Sequence, residues 1–213
     1  MRSLDILLLA VYIIVVTLVF VQAIDSLKGK IVVEFDYGSL AQQLAAQNLQ
    51  NKIRIFFGLQ DHYLIDKLQV LPIFIQNVAQ KEIVYIDWDR SALTDIDSRS
   101  RRVVRLLPIM TFDFIQSQVQ SVITPQKALQ EVLTAEDTLR GSAESKTIAP
   151  ALPLLNGGKY NKDPNKKYAF TLTLTLWLAS PGQPFSEQRP YALACEFTVR
   201  KLSWQDVVPW NLG

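Results

Sequence analysis

Residues 168–179 read YAFTLTLTLWLA. Phe170, Leu172, Leu174, Leu176 and Leu178 share one parity; Thr171, Thr173, Thr175 and Trp177 share the other. Side chains alternate faces along an extended chain, so the pattern describes a strand with one apolar face, and β-branched threonine suits the pleat on the other. A proline-containing loop, 180–190, follows, and Tyr191, Leu193, Cys195, Phe197 and Val199 then alternate again. Two long strands joined this way predict an antiparallel hairpin at the centre of a sheet. Cys195 falls on the apolar parity, where its expected role is core packing.

Working outward, strands are expected at 31–37, 52–59, 64–78, 82–89, 101–110 and 111–122, with Pro72 hinting at an edge or bulge. Residues 90–100 read as a polar turn. Ser39 is the expected cap of a helix over 40–50, stopped at Asn51. Thr124-Pro125 suggests a second helix to Leu139, with Ala128, Leu129, Val132, Leu133 and Leu139 at helical spacing and Gly141 behind it. Prolines and glycines between 141 and 167, together with lysines 159, 162, 166 and 167, read as a long exposed loop.

Seven or eight strands with turns between them and one or two short helices indicate an all-β chain, an antiparallel sandwich. The segment 70–138 carries an apolar strand ending in Gln76-Asn77. Ile83 to Trp88 follow with Asp87 and Asp89, then a turn with Leu93 and Asp95, then arginines. In this it resembles the immunoglobulin-like or fibronectin-like sandwiches appended to bacterial envelope proteins, and the resemblance implies a fold, not an activity.

The amino-terminal stretch sets the expected location. From Ile6 to Ile24 no residue is charged, and Asp5 and Asp25 bracket the run. As a helix it would be roughly 28 Å long, close to the hydrocarbon thickness of a bilayer. Only Tyr12, Thr17 and Gln22 interrupt it, and Thr17 can bond back to a helix carbonyl. The competing expectation is a cleaved signal peptide, with Arg2 as its basic start and Val21-Gln22-Ala23 as the cleavage site. The expected layout is a tail at 1–5, a membrane helix at 6–24, a sandwich at 25–203 and an aromatic tail at 204–213. Flanking charges give almost no orientation bias. A short leading tail before a single span favours an exported domain over a cytoplasmic one.

Twenty-two Lys and Arg against 20 Asp and Glu leave the chain near neutral, which argues against nucleic acid. One cysteine excludes an internal disulfide, and one histidine excludes a multi-histidine metal centre. His62 beside Asp61 forms no triad, since neighbours on an extended chain face apart and no G-x-S-x-G elbow exists. Asn156-Gly157-Gly158-Lys159 lacks the spacing of a phosphate loop.

Three constellations are candidates. Asp87, Asp89, Asp95 and Asp97 offer oxygens to a hard cation, or a salt-bridged turn with the arginines that follow. Arg99, Arg101 and Arg105 offer an anionic-surface patch for phosphate or acidic headgroups. Trp204, Val207, Val208 and Trp210 offer an aromatic docking segment for a protein partner, or a tail folded back over the sandwich. The expected function is a single-pass, membrane-anchored, non-catalytic interaction or assembly module, an accessory subunit of a membrane complex, with no cofactor. The alternative is a lipid or small-ligand binding domain at the membrane surface.

Overall fold

The computed structural model describes residues 3–25, 29–107, 117–141, 148–155, 157–163, 165–180, 190–203 and 206, apart from the side chains at 3–5, 23–24 and 159. Three helices are described: α1 (Ser3–Asp25), α2 (Tyr37–Ala46) and α3 (Gly157–Lys162). The longer strands are β1 (Lys30–Phe35), β2 (Ile53–Phe57), β4 (Leu71–Asn77), β5 (Ile83–Thr94), β6 (Ser100–Arg105), β8 (Ala128–Ala135), β11 (Tyr168–Ala179) and β12 (Tyr191–Lys201). Shorter ones are β3 (Tyr63–Leu64), β7 (Ser121–Ile123), β9 (Leu139–Gly141) and β10 (Ile148–Pro150).

The predicted hairpin is the middle of the molecule. β11 pairs with β12 from Tyr168↔Val199 to Leu176↔Tyr191, and its other edge pairs with β5. The sheet runs β2-β4-β8-β6-β5-β11-β12-β1-β3, with β7 beside β5, and every described pairing is antiparallel. β6 makes the turn in this path: Ser100 to Arg102 pair with β5, whereas Val103 to Arg105 pair with β8. The fold is therefore mostly β, a curled ten-stranded antiparallel sheet with a separate two-stranded sheet, β9-β10, and few helices.

Aromatic contacts show how far the sheet curls. Phe57 of β2 lies 4.6 Å from Phe35 of β1 and 4.8 Å from Phe197 of β12, ring centre to ring centre. Phe197 in turn stacks on Phe170 at 4.6 Å. Strands far apart in the order thus meet across one core, which also takes the leucines of β11, Ile53, Ile55, Ile73 and Ile75. Each such side chain contributes about 1.5–3 kcal/mol on leaving water.

Several expectations change. Residues 128–135 form strand β8, not a helix. Thr124 to Lys127 is a turn closed by Lys127 N donating to Thr124 O at 3.2 Å, with Pro125 second and Gln126 third at φ 60°. Threonine before proline suits a helix start, but proline followed by positive φ is equally a type II turn. Pairing to β4 and β6 then overrides the helical spacing.

The polar stretch from Arg90 turns the chain only at 95–99, where Asp95 N donates to Arg99 O at 3.0 Å. β5 continues to Thr94 through a bulge, where its register against β11 shifts between Thr173 and Thr175. Arg90 N donates to Asp87 Oδ1 at 3.1 Å and Ser91 Oγ to Asp87 O at 2.7 Å. Thr175 N donates to Ser91 Oγ at 3.1 Å and Thr175 Oγ1 to Arg90 O at 3.0 Å. Side chains replace ladder bonds, so a polar stretch stays within the strand.

Helix α2 begins three residues earlier than expected, capped by Asp36, whose Oδ1 accepts from Ser39 N at 2.8 Å. The stretch 141–167 is not simply exposed. Leu154, Leu155 and Tyr160 are buried, and Leu154 N donates to Leu68 O at 2.6 Å.

α1 is a helix of 23 residues, and Thr17 Oγ1 donates to Ile13 O at 2.7 Å as expected. Among the described residues no helix is long and apolar enough to cross a membrane.

Candidate functional site

A groove of about 370 Å³ lies between α2 and the outer edge of β2. Tyr37, Leu40, Ala41 and Leu44 line it from the helix, and Ile53, Arg54, Ile55 and Phe56 line it from the strand. Its wall is mostly apolar and its mouth is open, a composition that suits extended peptides and apolar ligands.

The backbone beside the groove is open as well. Val78 N donates to Lys52 O at 2.8 Å and Gly58 N to Pro72 O at 3.0 Å. Even-numbered residues of β2 thus face β4, and the N–H and C=O of Ile55 and Phe57 face the other way. Among the described residues no backbone group bonds to that side of Ile55 or Phe57. An unpaired edge beside an apolar groove can accept a further strand. Phe56 and Phe74, 43 % and 38 % exposed with ring centres 6.3 Å apart, extend the apolar surface onto the outer face.

α2 is held in place by amide contacts to β12. Gln43 Nε2 donates to Ala194 O and Gln43 Oε1 accepts from Ala194 N, both at 2.8 Å. Gln47 Nε2 donates to Ala192 O at 3.1 Å. The helical stripe of Leu40 and Leu44 was legible in the sequence; the groove behind it was not, because the angle at which the 47–52 turn sets β2 against α2 leaves no periodic signal.

The aspartates are spread over several partners. Asp87 caps the β5 bulge. Asp89 takes Arg102 Nη2 at 2.5 Å and Gln118 N at 3.1 Å. Burial pushes its carboxyl up, but Arg102 and the Gln118 amide outweigh that and hold it below the ordinary value. Asp95 is buried beside Arg101 at 3.6 Å, and Asp97 is exposed in the β5–β6 turn. Among the described residues no group of three or more His, Cys, Asp or Glu could hold a metal ion.

The arginines behave similarly. The side chain of Arg101 is 8 % exposed, with Nη1 3.1 Å from Asp137 Oδ1 and Nη2 donating to Leu154 O. Arg105 pairs with Glu131 at 3.2 Å, donates to Ser121 Oγ at 2.8 Å and lies over the Trp88 ring at 5.7 Å. Of Arg99, Arg101 and Arg105, only Arg99 is exposed, so the three do not present one open patch. His62 is exposed. Cys195 is fully buried, and burial pushes its thiol up to about 12. Trp204, Val207, Val208 and Trp210 lie outside the described residues.

Between the two sides of the core, the space lined by Leu71, Leu93, Val103, Leu133, Leu154 and Leu172 is about 10 Å³, room for one water at most. Comparison with family models, curated proteins and solved structures finds no match to this chain.

Proposed function

We propose that this chain is a membrane-anchored, non-catalytic interaction module whose α2–β2 groove receives an extended segment of a protein partner. The observation that carries this reading is the apolar groove beside an unpaired strand edge. Strand addition supplies main-chain hydrogen bonds from Ile55 and Phe57, while Tyr37, Ala41 and Phe56 contact alternate side chains of the guest.

The sandwich reading is supported by the strand order. β2-β4-β8-β6 followed by β5-β11-β12 has the sequence logic of strands A-B-E-D and C-F-G of an immunoglobulin-like sandwich, with Trp88 buried on the strand equivalent to C. β1 and β3 extend the second layer.

The anchor reading is supported by α1 itself. Its large apolar side chains are 47 % to 67 % exposed and no charge lies between Ile6 and Ile24. A helix apolar on every side has no aqueous face to turn outward, and lipid is the solvent that suits it.

The test is affinity purification of tagged full-length chain from mildly solubilised membranes. Ala41→Arg and Phe56→Asp are expected to lose co-purifying proteins while keeping the wild-type circular dichroism; Gln80→Ala, in an exposed turn, is expected to keep them. Identical partner sets in all three variants would refute the groove. Resistance of the wild type to alkaline extraction checks the anchor. A lipid is the second reading, because the groove volume is that of a small-ligand site; lipid extracts of the same samples distinguish it.

A further inference from the structure

We infer that the end of the domain where β1 begins is a cationic surface that takes the phosphates of anionic lipid headgroups. This rests on the reading of α1 as an anchor and adds a second contact with the same membrane.

Register collects the lysines. Lys30 opens β1 opposite Leu64 of β3, and Lys201 closes β12 opposite Ile31. Tyr168, the first residue of β11, pairs with Val199, which sets Lys166 and Lys167 at the same end. α3 ends at Lys162 and is held there by Tyr160, whose ring lies 5.9 Å from that of Tyr168. Lys67 sits in the turn directly after β3. Lys67, Lys162, Lys166, Lys167 and Lys201 are exposed and Lys30 is half-buried.

Charge outside the arginine ion pairs is positive on balance at this end. The exposed carboxylates there are Asp61, Asp66 and Asp163 beside the lysines, Asp97 with exposed Arg99 in the β5–β6 turn, and Glu136, Asp137 and Asp206, which face Arg102, Arg101 and Arg200. Among the described residues none of the six lysines has an ion pair, whereas Lys52, at the opposite end, is tied to Glu82 at 2.6 Å. The ammonium groups are free to meet an anion.

The tether sets the distance. Residues 26–29 alone separate Asp25, the end of α1, from Lys30, a reach of at most about 18 Å when fully extended. With Asp25 at the hydrocarbon boundary, the headgroup layer occupies the first several ångströms of that reach. Lysine tips at this end then lie within about one Debye length of lipid phosphates, where each cation is attracted.

The experiment uses full-length chain in nanodiscs of phosphatidylcholine alone, or with about 30 % phosphatidylglycerol as the anionic lipid. Amine acetylation is followed lysine by lysine with mass spectrometry. The expected result is labelling of Lys162, Lys166, Lys167 and Lys201 slowed about threefold or more in anionic discs and restored at about 0.5 M salt, with Lys81 and Lys127 unchanged. Equal rates in the two disc types would overturn the headgroup surface and leave the anchor standing. Chain that does not co-elute with either disc would overturn both. Protection by inorganic phosphate in neutral discs, matching that of the anionic discs, would overturn lipid as the source of the phosphate.

Discussion

Gln43 and Ala194 exchange two hydrogen bonds of 2.8 Å each, the side-chain amide of a helical residue standing where a neighbouring strand would stand. β1 pairs with β12 only from Lys201 down to Phe197, and the backbone of Asp36 adds one bond to Glu196 O at 2.9 Å. Beyond that point β12 would be an open edge. The carboxamide carries one donor and one acceptor, the same pair that a peptide group offers, and it closes the edge at Ala194.

Gln43→Leu keeps helix propensity and size but leaves both backbone groups of Ala194 without their partner. The expected loss of stability is about 1–3 kcal/mol, read from the urea midpoint. Gln43→Glu retains the acceptor and sets a carboxylate against Ala194 O. It is expected to be less stable than the wild type at pH 7 and to recover part of the loss as the carboxyl protonates. Equal midpoints for the three chains would refute the edge-closing role.

Arg101 joins the β5–β6 turn to the segment after β8 by meeting Asp95, Asp137 and the Leu154 carbonyl. Arg101→Met is expected to destabilise by about 3 kcal/mol, since Asp95 is left buried without its cation. Arg101→Lys keeps the charge but lacks the planar fork, so it is expected to recover only part of that loss in the same urea titration.

Acid weakens two ion pairs. Arg200 bonds Asp206 at 2.8 and 3.0 Å and holds its carboxyl below the ordinary value, against the opposing effect of burial. Asp89 is lowered in the same direction by Arg102 and Gln118, outweighing its burial. Folded values below unfolded ones mean that these contributions are complete above about pH 3.8, the ordinary value, and are lost as pH falls through the folded values. Asp89→Asn and Asp206→Asn are expected to flatten the fall in urea midpoint below pH 4. An unchanged slope in both would contradict the pairing.

Cys195 is buried on β12 with its thiol pushed up to about 12. At pH 8 the folded chain is expected to leave a thiol-specific reagent unreacted, with full reaction in urea. Rapid labelling of the folded chain would show that the strand opens locally.

The elements legible in the sequence are those whose signal is local. The leucine and threonine parities of 168–179 name both faces of β11 because a strand reports its two environments at every second residue. Ile53, Ile55 and Phe57 do the same for β2. The stretch 128–139 misleads because its apolar positions fit either period, and Thr124-Pro125 suits a helix cap and a turn alike. Arg101 and Arg105 look like surface charge in a polar stretch, since nothing near them in sequence announces Asp137 or Glu131 as partners.

The sequence by itself determined the central hairpin, the burial of Cys195 and the uncharged helix at the amino terminus, because each follows from solvent preference at neighbouring positions. Only the tertiary structure decided that Phe57 meets Phe197 and that Gln43 serves as a strand edge. Those depend on which distant segments the curled sheet brings together, and chain separation carries no local trace of that choice.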